Sequence, residues 1–188
     1  MLLDDFCPHW EFRESHMITT HATTPVILEA LRTITPAEVP LVNCLMKIRS
    51  FPSLALGESL FRSDNRIPFL DQILGSGFLI LGNSEHEILI GTVGQFWKPS
   101  GGLCHDIHTP EEFREFEKPG WAKVGWNVIV EGEEPRRRIR TETRITCTDR
   151  ASRIKFRFYW TIIRPGSGMI RKSILRALKQ KAEQPSLR

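Results

Sequence analysis

Thr141 and Thr143 alternate with Ile139 and Ile145. Set among aliphatic neighbours, two hydroxyls of this kind can orient a small molecule by hydrogen bonding, since ligand pockets combine apolar walls with a few polar groups. By the same alternation Trp126 and Val128 in one neighbouring stretch, and Phe156, Phe158 and Trp160 in another, share that face, and Phe96 stands near a further strand end. These eight residues are the candidate lining of a binding cavity. Aromatic stripes on strands are more often plain core, and threonine is a good strand residue in any case.

A second kind of chemistry is hinted at by Cys104, His105, Asp106 and His108, to which Cys7 and His9 could be added. The residue types suit a metal, but the spacing matches no standard zinc pattern and both groups fall in expected loops, so no metal or other cofactor is assigned. His108 has no identifiable partner as a general base. His16 and His21 are expected at the core edge or in solvent. Acid–base catalysis in the cavity would have to draw on the threonines, Cys147 and His16. There is no phosphate-cradling glycine loop and no Gly-x-Ser-x-Gly nucleophile turn.

Positioning these side chains requires strands. Ala122, Val124, Trp126, Val128 and Val130 alternate with Lys123, Asn127 and Glu131; Ile139 to Cys147 alternate with Arg138, Arg140, Glu142 and Arg144. A third alternation runs from Ile154 to Ile162. Side chains that leave a strand on opposite sides give this period of two, so three half-buried antiparallel strands are expected. Arg164-Pro165-Gly166-Ser167-Gly168 then reads as a break, after which Ile170, Ile174, Leu175, Leu178 and Ala182 recur at helical spacing. Arg171, Lys172, Arg176, Lys179 and Lys181 fall on the other side of that terminal helix.

Earlier in the chain residues 1–9 read as a loose lead-in, followed by a long first strand from Trp10 to Ala22 with Phe12, Glu14, His16 and Ile18 on one parity. Thr24-Pro25 opens a helix and Thr35-Pro36-Ala37-Glu38 carries a capping box. Further helical pieces are expected over 40–48 and 67–74. Phe78–Leu81 and Glu87–Trp97 read as strands, and Thr109-Pro110-Glu111-Glu112 caps a short helix that Pro119 ends.

The 188 residues, 40% hydrophobic and 26% charged, suit one domain over 10–183 with a short tail at 184–188. No run of about 18 apolar residues suggests a membrane span, and the acidic start lacks the basic n-region of a secretory signal. Four widely spaced cysteines are expected as reduced thiols in a cytoplasmic protein. The net charge of +4 is unevenly held: residues 136–188 carry 16 basic and three acidic residues, a net of +13, against −9 for the remainder. Arg138, Arg140 and Arg144 with Arg153, Lys155 and Arg157 would make a basic sheet face for an anionic surface. No helix-turn-helix, zinc-finger or RNA-recognition pattern accompanies it, so no specific nucleic acid partner is expected.

The order of strand, paired helices, several antiparallel strands and a long C-terminal helix resembles the helix-grip fold of the START/Bet v 1-like superfamily (SRPBCC), which includes polyketide cyclase/dehydrase-like and lipid-transfer members. Two marks carry the resemblance: the helix opening at Thr24-Pro25, and the segment from Ile154 to Lys172, which looks like the strand-to-helix junction of uncharacterised bacterial members. It implies an α+β fold with a curved antiparallel sheet wrapped around the terminal helix and two or more short helices after the first strand. It also implies a cavity between sheet and helix for a hydrophobic or amphipathic small molecule, lipid- or polyketide-like, with residues 49–77 covering one mouth. Some relatives catalyse cyclisation or dehydration in that cavity, and fold alone does not decide between carrying and catalysis. A membrane or interaction module using the basic face is the third expectation.

Overall fold

The computed structural model describes residues 1–39, 64–98 and 102–184; the helix expected over 40–48 and most of the segment expected to cover the cavity lie outside them. The elements, in chain order, are α1 (Leu2–Phe6), β1 (Phe12–Thr20), α2 (Thr24–Thr33), a 3-10 turn (Pro36–Glu38), α3 (Phe69–Gly75), β2 (Leu79–Asn83), β3 (Glu87–Gly94), α4 (Pro110–Glu115), β4 (Ala122–Glu131), β5 (Arg137–Cys147) and α5 (Arg150–Glu183). The five strands form one antiparallel sheet in the order β1-β5-β4-β3-β2. The fold is thus α+β, with a five-stranded antiparallel sheet packed against a long C-terminal helix.

Register follows the alternation in the sequence. Trp126 stands opposite Thr143 and Val128 opposite Thr141 on β4 and β5, while Glu14 and His16 of β1 pair with Thr143 and Thr141 on the other side of β5. One face of the sheet therefore carries Trp126, Val128, Val130, Ile139, Thr141 and Thr143, and receives α5 with α2 alongside. The opposite face is covered by α1 and α4.

Helix α5 departs from expectation. Residues 154–162 are helix, not strand, and the helix continues through Pro165, Gly166 and Gly168 for 34 residues, about 51 Å at 1.5 Å per residue. Asp149 is its N-cap: the carboxylate accepts from the Ser152 backbone N–H at 2.7 Å. Phe156 and Trp160 lie at helical as well as alternating spacing, whereas Ile163 joins them only on a helix, and packing the three on one side decides between the two readings. Phe156 is 2% exposed in a cluster with Phe12, Phe96, Ala122, Ile145 and Cys147. Its ring lies 5.0 Å from Phe12, 5.9 Å from Trp160 and 6.2 Å from Phe96, centroid to centroid.

The second half of α5 belongs to a different cluster, in which Ile174, Leu175, Leu178 and Ala182 meet Ile27, Leu31, Val128, Val130 and Ile139. Both halves face the same side of the sheet, so one continuous rod buries more than a helix restarted after Pro165. An exposed proline there removes one N–H donor but no packing.

The lead-in is ordered as well. Leu3, Phe6 and Cys7 pack with Leu81, Leu89, Cys104, Ile107 and Phe113 on the far face. Gly125 makes this possible: a Cβ at that position would stand 2.8 Å from Cys7 Sγ and 2.9 Å from Leu3 Cδ1.

Candidate functional site

Between the two apolar clusters along α5 the sheet–helix interface turns polar. Glu14 and His16 project from β1 toward the helix, and Glu14 Oε1 pairs with His16 Nε2 at 2.9 Å. Gly168 lets the helix pass close by, since a Cβ there would lie 2.7 Å from the same carboxylate oxygen. One turn further on, Arg171 leans back onto the site: its Nε is 3.8 Å from Glu14 Oε2, and its guanidinium carbon is 6.0 Å from the Trp126 ring. That ion pair is too long to be a hydrogen bond. Burial pushes the Arg171 guanidinium down to about 10, against the pull of the Glu14 carboxylate.

The two threonines fare differently. Thr141 is saturated, its hydroxyl accepting from Trp126 Nε1 at 2.5 Å and donating to the Asn127 carbonyl at 2.8 Å. Thr143 Oγ1, Glu14 Oε2 and Arg171 Nε are all buried without a hydrogen-bond partner. Thr143 is the register partner of Glu14, and three such atoms along one stretch of the sheet–helix interface are unusual, because buried polar groups are almost always paired and an unpaired one costs about 1–3 kcal/mol. Together they offer an acceptor, a donor and a hydroxyl that can do either.

Among the residues expected to line a cavity, Trp126, Thr141 and Thr143 stand at this polar centre. Val128 is closed into the apolar cluster under α2. Phe156, Trp160 and Phe96 fill the other cluster side chain to side chain. Phe158 is corrected outright: at 70% exposed, it points away from the sheet, because on a helix it lies on the opposite side from Phe156 and Trp160. Two open clefts lie at the β4–β5 hairpin end, away from the polar centre. One of about 470 Å³ is lined by Thr19, His21, Arg136, Arg138 and Lys179, and one of about 390 Å³ includes Thr24, His86 and Arg137.

The basic sheet face is also revised. Arg153, Lys155 and Arg157 are on the helix, and Arg140 and Arg144 are drawn into a charged group beneath the N-terminal segment. Glu142, fully buried, accepts from Arg13 through both nitrogens at 2.8 Å, from Arg144 Nε at 2.8 Å and from Arg140 Nη1 at 3.1 Å. Asn127 links it to Glu87, whose other oxygen accepts from the Leu2 backbone N–H at 2.8 Å. Arg144 also donates to the Cys7 carbonyl, pairs with Asp4 and stacks 4.1 Å from the Trp10 ring. The Glu142 carboxylate is satisfied on both oxygens, and its surroundings are structural: they hold residues 1–10 on the sheet.

Cys7 and Cys104, offered as possible metal ligands, are buried in one apolar cluster. Among the described residues no group of three or more His, Cys, Asp or Glu is arranged to hold a metal. Cys7, Cys104 and Cys147 are free thiols, and burial pushes Cys7 up to about 11 and Cys147 to about 12.

No protein-family model matches the chain, and no curated protein does. Among solved structures the chain is similar to a hypothetical protein, jhp0584, from Helicobacter pylori. That likeness covers 96% of this chain and 94% of the other at 9% identity and a TM-score of 0.43, which assigns neither fold family nor function.

Proposed function

We propose that this is a helix-grip domain of START/Bet v 1-like type that binds an amphipathic small molecule at the polar centre between sheet and α5. One observation carries the reading: Glu14 Oε2, Oγ1 of its register partner Thr143, and Arg171 Nε, 3.8 Å from that carboxylate, are all buried and unsatisfied. A hydroxyl, carboxylic acid or amide donates and accepts at once, and would pair with all three. The indole of Trp126 flanks the point and supplies apolar contact for the remainder of the molecule. The lining is narrower than the sequence suggested, since the aromatic cluster around Phe156 is occupied by its own side chains.

Native mass spectrometry of gently purified protein tests this. The expected result is a bound small molecule that survives in wild type and is lost in Thr143→Val and Arg171→Met, with affinity down about tenfold for each lost hydrogen bond. Wild type without a bound mass, and without a thermal shift across a panel of hydroxylated and carboxylated amphiphiles, would remove the proposal.

A second reading, a cyclase/dehydratase-type enzyme, draws on the Glu14–His16 pair, a carboxylate and an imidazole in contact on the same face. It differs in one readout. A carrier returns its guest unchanged, whereas an enzyme returns a product of altered mass, and His16→Asn would stop the alteration while sparing capture.

A further inference from the structure

The outward side of α5 carries a row of apolar side chains that the fold does not use. Ile154, Phe158, Ile162 and Met169 are 50, 70, 80 and 50% exposed. They follow one another at spacings of four, four and seven residues, so they share one face of the helix over about 22 Å. Exposed Ala151 and Pro165 extend the same strip.

Cations border it. Arg150, Arg157 and Arg164 recur every seven residues along one side, Lys155 lies on the other, and Lys172 and Arg176 continue the strip toward the C-terminus. All six are exposed and make no ion pair among the described residues. Between Arg150 and Ala182 the helix has ten basic residues and no acidic one.

We infer that this face of α5 docks on an anionic lipid bilayer, with Phe158 and Ile162 entering the boundary between headgroups and acyl chains. The chemistry selects that occupant. An interfacial helix needs an apolar strip with basic borders, and the cations meet the negative leaflet while the strip leaves water. A second copy of the chain would set six cations against six, which opposes pairing. Nucleic acid offers anions but no hydrocarbon for four aliphatic and aromatic side chains. The strip is the outer surface of a single helix, a convex ridge that seats a partner's anchor residue poorly, which argues against an acidic protein segment. The inference does not depend on the polar centre, which lies on the opposite side of the helix.

Vesicle co-sedimentation of the full chain tests it, with vesicles of phosphatidylcholine alone or mixed in equal parts with phosphatidylglycerol. Sedimentation with the mixed vesicles only, released by salt, is expected. Phe158→Asp and Ile162→Asp should each lower partitioning about tenfold, and Lys155→Gln combined with Arg157→Gln should lower it while flattening the salt dependence. Both apolar positions are exposed, so circular dichroism should show each variant folded. Three results would overturn the inference: no sedimentation with mixed vesicles, wild-type partitioning by folded Phe158→Asp, or a dimer in analytical ultracentrifugation that Phe158→Asp dissolves.

Discussion

Arg144 Nε donates to Glu142 Oε1 across 2.8 Å on the sheet face opposite α5. The pair is buried because α1 lies over it. Burial raises the Glu142 carboxyl, but hydrogen bonds from Arg13 and Arg144 outweigh it and hold the group below its ordinary 4.5. A carboxyl depressed in the folded state contributes stability that is present above 4.5 and is lost as pH falls through the folded value. Glu142→Ala leaves three arginines around an empty centre and should cost about 3–5 kcal/mol, the range for breaking a buried charge pair. Urea titration at neutral pH and again below pH 4 checks both points. In wild type the midpoint should drop on acidification, and in Glu142→Ala that drop should be smaller.

Gly166 and Gly168 sit two residues apart in one helix and should respond oppositely to the same substitution. Nothing lies within 4 Å of a Cβ built on Gly166, so Gly166→Ala should stabilise by about 0.5–1 kcal/mol through helix propensity alone. At Gly168 the added carbon meets Glu14 Oε1 at 2.7 Å, and that oxygen is held by His16. Gly168→Ala should therefore lower the melting temperature. Equal shifts for the two variants would contradict the close approach of helix and β1.

Phe156 and Phe158 separate helix from strand over 154–162. On a strand both would face the same way and cost alike. On α5, Phe156→Ala should cost about 3–5 kcal/mol and Phe158→Ala less than about 0.5. Equilibrium denaturation of the two variants measures the difference.

The thiols give a chemical check on burial. The thiolate is the reactive form, and with Cys7 pushed up to about 11 and Cys147 to about 12 neither should alkylate appreciably near pH 8 in the native protein. Peptide mapping after iodoacetamide should show both unmodified until denaturant is added. Rapid native labelling of Cys7 would mean that α1 is not seated.

Much of this architecture could be read before any coordinates. The parity of β4 and β5, the shared parity of Glu14 and His16, and the capped helix at Thr109 all followed from local pattern. What failed was α5. Ile154 to Ile162 alternates as a strand does, yet Phe156, Trp160 and Ile163 also fit a helix, and short runs cannot separate the two periods. The capping Asp149 three residues before Ser152 was the better signal. Arg171, read as solvent-facing, reaches Glu14 because Gly168 admits close packing, a relation between distant segments that no local pattern contains. The Glu142 group was hidden for the same reason: its cover is a five-residue helix too short to show periodicity.

The N-terminal segment insulates charge more than it adds bulk. Stripped of residues 1–10, the sheet would turn Arg13, Arg140 and Arg144 toward water with only Glu142 and Glu131 to balance them, and Asp4 and Asp5 would be gone from their edge. A proteolytically trimmed chain would then behave as a stickier cation than the intact one, eluting later from a cation-exchange resin.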